Sequence, residues 1–261
     1  MPVVSANGIE QFYEVTGDGP PLVLVAGMGG TANYWGDQVD FFAQHYTVIT
    51  YDQRGTGRSD HSPVSGIEQL RDDLLALLDE LGIGTVDFIG HSTGGNIAQI
   101  FGIENPERLK KLVIYASTTH GDHYRSKVWR VRRSILEQQG AALYGDMSSL
   151  MLYPPEWIAE NAELLEKQQA AQVAMLAPVS VMTSRIEAVQ AFDRRRQLAD
   201  IRVPTLVLCA RDDRQTPAYF SAALADAIPG AEYSLLDYGA HACSRTVPDA
   251  FNKIVADFFA R

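Results

Sequence analysis

Val86-Asp87-Phe88-Ile89-Gly90-His91-Ser92-Thr93-Gly94-Gly95-Asn96-Ile97-Ala98-Gln99-Ile100-Phe101 passes from an apolar run, through a glycine-flanked serine, into a helical pattern. Gly-x-Ser-x-Gly between a strand and a helix marks a sharp, strained turn that lifts a serine hydroxyl above a sheet edge. The spacing has a steric reason: the small residues Gly90 and Gly94 prevent clashes where the chain folds back. The N–H of Thr93, at the helix N-terminus, is then placed to stabilise a developing oxyanion. An unreactive glycine-rich turn is the alternative. A bare five-residue match would not decide between them; the strand before and the helix after favour a nucleophile at Ser92.

On either side, short apolar runs alternate with helical patterns. Leu22–Ala26, Thr47–Tyr51, Leu112–Ala116, Thr205–Cys209 and Tyr233–Leu236 read as strands. They are rich in Val, Ile and Leu with little alternation, as parallel strands covered on both faces require. Ile67, Leu70, Leu74, Leu77, Leu78 and Leu81 keep helical spacing, with Asp72, Asp73, Asp79 and Glu80 assigned to the surface and Gly82 as a stop. Phe251, Ile254, Val255, Phe258 and Phe259 stripe a last helix. At the N-terminus, Val3–Ala6 and Ile9–Thr16 flank Asn7-Gly8, a hairpin signal. The pattern predicts an α/β fold with a mostly parallel sheet.

The alternation lapses between about residues 118 and 201. No strand is legible there, but several helices are. Tyr124, Val128, Val131 and Ile135 share a predicted face, Pro154-Pro155-Glu156 looks like a helix start, and residues 156–176 are rich in helix formers. We read 118–201 as a helical cap inserted into a core made of 1–117 and 202–261.

A serine hydroxyl needs a base to take its proton. Of six histidines, His241 lies just after the last strand, in a loop at a strand's carboxyl end where such sheets place their sites. His91 is expected to point away from the nucleophile; His45 and His61 read as solvated. His120 and His123 lack a third ligand cluster, so no metal is expected. A carboxylate to orient His241 is available in Asp212 and Asp213, after the strand 205–209. Serine, acid, histidine is the chain order expected of an elbow-borne triad. Ala26-Gly27-Met28-Gly29-Gly30 supplies a second backbone donor, for which the N–H of Met28 is chosen. Asp52-Gln53-Arg54-Gly55-Thr56-Gly57-Arg58-Ser59 lacks phosphate-loop spacing and reads as a turn with Asp52 and Arg54 in a polar network. Arg125, Lys127, Arg130, Arg132 and Arg133 make the cap locally basic, which reads as a solvated face unless one arginine meets a substrate carboxylate.

Composition narrows the partners. The 261 residues carry 22 Lys and Arg against 32 Asp and Glu, a net charge of -10, which disfavours nucleic acid and anionic membranes. Two cysteines give no disulfide framework: Cys209 reads as buried and Cys243 as a loop residue near the site. With no basic segment leading a long apolar one, a cytoplasmic location is the default expectation.

These residues together resemble the α/β-hydrolase superfamily across essentially the whole chain. The glycine loop, the Asp-x-Arg-Gly-x-Gly stretch, the serine elbow and the late Asp and His occur in the family's order. The resemblance implies an α/β-hydrolase fold, a mostly parallel central sheet flanked by helices with an inserted helical cap, and no cofactor. The family's acid commonly opens Asp-x-x-[Thr/Val]-Pro, which matches Asp213 to Pro217 and selects Asp213 over Asp212. Ala26 departs from the pattern, since the family often has His there. Three stretches, 51–57, 152–154 with Trp157, and 238–243, resemble the aminoacrylate or carbamate hydrolase of pyrimidine degradation. The general frame resembles 3-oxoadipate enol-lactonases.

The expectation is therefore a serine hydrolase acting on a small ester, lactone or amide-like or carbamate-like metabolite. Gly27, Met151, Tyr153 and Trp157 are candidate substrate contacts, with Met147 and Leu152 extending an apolar roof. A C–C bond hydrolase or a cofactor-free haloperoxidase would use the same triad, and a ligand-binding receptor could keep the fold and its serine. Oligomeric state stays open, a homodimer included.

Overall fold

The computed structural model describes residues 2–261. A β-hairpin opens the chain, β1 (Val3–Ala6) and β2 (Ile9–Thr16), turning at Asn7 and Gly8 with φ of 48° and 74°. This is the doubly left-handed turn that Asn-Gly favours. The core follows as β3 (Pro21–Val25), α1 (Gly36–Phe42), β4 (Thr47–Tyr51), α2 (Ile67–Glu80), β5 (Val86–His91), α3 (Thr93–Glu104) and β6 (Leu109–Tyr115). After an insertion it resumes with β7 (Thr205–Ala210), α9 (Ala218–Ala227), β8 (Glu232–Leu236), α10 (Cys243–Thr246) and α11 (Pro248–Phe259). The eight strands run in the order β1-β2-β4-β3-β5-β6-β7-β8. Every pair from β4 to β8 is parallel, and the hairpin joins β4 antiparallel.

The sheet is covered on both sides because its strands are apolar on both. Along β3, Val23 and Val25 enter the core on one face, with Ile49, Phe88, Leu112 and the leucines of α2. Leu22 and Leu24 enter the other, with Val48, Ile89, Val113 and the α11 residues Phe251 and Val255. Because these strands run parallel, their carboxyl ends, and the loops carrying Met28, Ser92, Asp213 and His241, lie at one edge.

Between β6 and β7 lie five helices and no strand: α4 (His123–Gln139), α5 (Ala141–Leu152), α6 (Pro155–Glu160), α7 (Ala162–Ala174) and α8 (Val179–Ala191). The expected stripe on α4 is corrected. Tyr124 and Val131 are exposed, and the buried face is Arg125, Val128, Trp129, Arg132 and Leu136. Arg125 and Arg132 therefore leave the solvated set. Trp129 draws the helix inward, and its ring receives the Arg132 guanidinium at 4.8 Å. Asp73 is likewise corrected from surface to core. It is 1% exposed and accepts both forks of Arg54, at 2.7 and 2.8 Å, plus Asn7 Nδ2 at 2.6 Å. Asp52 belongs to a separate network, accepting from Ala32 N and from Arg58.

Candidate active site

Ser92 joins β5 to α3 with φ 54° and ψ -111°, a left-handed backbone that a non-glycine residue adopts only where its surroundings enforce it. The enforcement is visible. Its N–H donates to Tyr115 O at 2.9 Å, and its carbonyl accepts from Asn96 N at 3.1 Å and Ser117 Oγ at 2.7 Å. A Cβ at position 90 would overlap the Gly94 carbonyl, and one at 94 would overlap the Val25 carbonyl, so both glycines are sterically required. The following loop of β3 comes equally close: a Cβ at Gly27 would stand 3.2 Å from Ser92 Cβ. The backbone N–H groups of Met28 and Thr93 donate to no other group among the described residues. Two free donors thus flank the serine.

His241 is buried and its Nδ1 lies 2.8 Å from Asp213 Oδ2. An ionised carboxylate only accepts, so Nδ1 carries a proton, and in the neutral imidazole Nε2 is the acceptor. Asp213 is itself fixed: Oδ1 accepts from Gln215 N at 2.7 Å and Thr216 N at 2.8 Å. The Thr216 hydroxyl stands 2.8 Å from Oδ2 and 2.9 Å from Ala116 O. Asp212 has a different task. It accepts from the N–H groups of Gly239 and Ala240, clamping the loop that presents His241. Ser92 and His241 line one cavity of about 260 Å³, and no hydrogen bond joins them directly.

His91 does not turn wholly away from this centre. It is buried between the rings of Tyr34 (4.7 Å, interplanar 4°) and Tyr115 (4.5 Å, 28°), and its Nε2 lies 3.0 Å from the His241 carbonyl. Tyr115 OH donates to the same carbonyl at 2.9 Å. Since a carbonyl only accepts, His91 Nε2 carries the proton and Nδ1 is left buried without a partner. Burial, and then the nearby His241, hold the imidazole well below the ordinary 6.5. The folded protein therefore keeps His91 neutral where the unfolded chain would protonate it. Stability contributed by this neutral state is complete above pH 6.5 and falls as the pH drops below it. Relative to His91→Gln, the wild type is expected to lose up to about 1.4 kcal/mol per pH unit below that point. Urea unfolding of both proteins between pH 5 and 8 measures this; parallel profiles would contradict it.

The inserted helices supply the rest of the cavity. Tyr153 and Gln168 line it, as does Gly27, while Met151 and Trp157 stand outside the lining. The helix α5 turns Ala141, Gly145, Ser148 and Leu152 inward, and Trp157 stacks behind Tyr153 at 4.7 Å. Cys243 is also corrected: it opens α10, fully buried, and burial pushes its thiol well above the ordinary range. Arg185 on α8 carries no motif or pattern in the sequence that marks it as part of the site. Its Nε donates to Met28 O at 2.9 Å and Nη2 to Gln53 Oε1 at 2.8 Å, with Nη1 on Arg54 O. The insertion is thereby tied to the loop carrying the Met28 donor. Burial lowers this guanidinium to about 10. Arg132, one of the basic cap residues singled out in the sequence, lines the cavity together with Arg245 and Gln215. Among the described residues no helix is long and apolar enough to cross a membrane.

A sheet of this order with a strained serine after β5 defines a class. A sequence model of the α/β hydrolase fold matches residues 20–244, and the chain belongs to that family. Within it, the chain is 41% identical over 260 residues to a protein of Azorhizobium caulinodans named "Putative carbamate hydrolase RutD", covering 99% of this chain and 98% of that one. A protein of the same name from Stutzerimonas stutzeri is 39% identical over 254 residues, covering 95% and 96%. Among solved structures, the enol-lactonase from Burkholderia xenovorans LB400 superimposes with a TM-score of 0.93 at 28% identity, covering both chains completely.

Proposed function

We propose that the protein hydrolyses a small ester, lactone or amide-like or carbamate-like metabolite through an acyl-enzyme on Ser92. The observation that carries this reading is the strained Ser92 opening onto the same cavity as a His241 imidazole whose Nδ1 is engaged by Asp213. With Nδ1 occupied, Nε2 takes the serine proton as Oγ attacks the substrate carbonyl. Asp213 stabilises the imidazolium that forms. The N–H groups of Met28 and Thr93 receive the oxyanion, worth about 3 kcal/mol each where such donors have been removed. The imidazolium then protonates the leaving oxygen or nitrogen, and His241 next activates water to release the acid. Substrate closes the Ser92–His241 contact, as catalytic hydrogen bonds tighten once a ligand excludes water.

The names carried by the relatives, carbamate hydrolysis in two and enol-lactone opening in a third, support a C–N or C–O bond as the one cleaved. The helices of residues 118–201 act as the cap that roofs the site. A fluorophosphonate probe tests the core of the proposal. It is expected to label the protein once, at Ser92 by peptide mapping, and a panel of lactones, esters, amides and carbamates should compete for labelling. A protein that binds members of the panel yet never acquires the label would be a receptor rather than a hydrolase.

A further inference from the structure

The cavity wall has a charge opposite to that of the molecule. The chain carries a net charge of -10, yet the lining contains Arg132 and Arg245 and no Asp or Glu. Arg132 is 6% exposed and forms no ion pair with any carboxylate among the described residues. Its acceptors are all neutral side chains: Gln215 Oε1 at 3.0 Å, Tyr144 OH at 3.1 Å and Ser148 Oγ at 3.0 Å. Of the five N–H donors of a guanidinium, two are left over, and Nε is buried with no partner.

Three other buried arginines put this in proportion, and one of them, Arg125, also has an unpartnered Nε but does not line the cavity. Arg54 has the carboxylate of Asp73, and Arg185 spends its donors on carbonyl oxygens that tie loops together. Arg132 does neither: all three of its acceptors line the cavity with it. Neutral acceptors and the faces of Trp129 and Tyr144, at 4.8 and 5.1 Å, ease the burial of a cation without neutralising it. A ligand anion would complete the site, and one unit of charge suffices. The spare Nη1 donor can take one carboxylate oxygen, and a second contact is open if the anion replaces Tyr144 or Ser148 on Nη2.

We infer that Arg132 is the anchor for a carboxylate at the non-reacting end of the substrate, so that the preferred substrates are small acyl compounds bearing a free acid. This deepens the proposed hydrolysis and rests on Ser92 being the nucleophile that faces the same cavity. Arg245, held by Tyr153 OH at 2.7 Å and Gln168 Oε1 at 2.6 Å, lines the same cavity and adds positive potential.

The test compares monomethyl glutarate with dimethyl glutarate, which differ in one negative charge. Binding is measured by calorimetry on the Ser92→Ala protein, so that neither ester is consumed. The monoester is expected to bind at least tenfold more tightly, and Arg132→Gln in the same background should reduce that ratio to less than threefold. Arg132→Met, which keeps the stem packed on Trp129, serves if the glutamine variant fails to fold. Equal affinity for the two esters, or a preference that survives loss of the guanidinium, would overturn the assignment. The two readings fail separately. Fluorophosphonate labelling of Ser92 without charge preference would leave the hydrolase standing. Charge preference with an unlabelled Ser92 would leave the anchor and remove the acyl-enzyme.

Discussion

Ser92→Ala is expected to lower kcat/KM toward any substrate the protein turns over by about 10³-fold or more, with the fold intact. The loss is large because, under the proposed mechanism, the variant removes the atom that forms the covalent intermediate. It is not total, because the Met28 and Thr93 donors still favour an oxyanion raised by water. The same geometry predicts non-additivity. His241→Ala should cost a similar factor, and the double variant little more than either, since the serine and its base act as one unit. Alanine keeps a Cβ at φ 54°, so the backbone strain at the elbow is unchanged, and near-UV circular dichroism should match the wild type. Steady-state kinetics of the three variants decide the matter. Undiminished turnover by Ser92→Ala would remove Ser92 from the chemistry.

The sheet and the elbow were legible because they depend on local pattern. Strands apolar on both faces leave continuous runs such as Leu22–Val25, and Asn7-Gly8 encodes its own turn. The insertion was legible as helical but not in its divisions. Residues 156–176 contain a break at Asn161, between α6 and α7, that good helix formers on either side conceal. The buried arginines were invisible for a different reason. A long cationic side chain reads as surface unless its partners are known, and these partners are remote. Arg185 meets Met28 across 157 positions, and Arg132 meets Gln215 across 83. The cavity's polarity is thus a tertiary property. The α4 stripe failed on the same point: the face through Arg125, Val128, Trp129 and Arg132 has proper helical spacing, but two of its members are charged.

Asp73 carried a signal that its charge obscured, and the strongest stability effect is expected there. On α2 it follows Leu70 by three positions and precedes Leu77 by four, so periodicity places it on the buried face. Only its charge assigned it to solvent. In the folded protein Asp73 and Arg54 form a two-pronged pair, and removal of one partner strands the other charge in the core. Asp73→Ala is therefore expected to destabilise the protein by about 3–5 kcal/mol. That corresponds to a fall in Tm on the order of 10 °C for a chain of this size. Desolvation, not the attraction itself, makes the single change so costly. Replacing both partners with apolar residues, as in Arg54→Met with Asp73→Leu, should recover most of the loss. Thermal unfolding of the single and double variants separates the terms. A double variant no more stable than Asp73→Ala would mean that packing around α2, rather than an unpaired charge, sets the penalty.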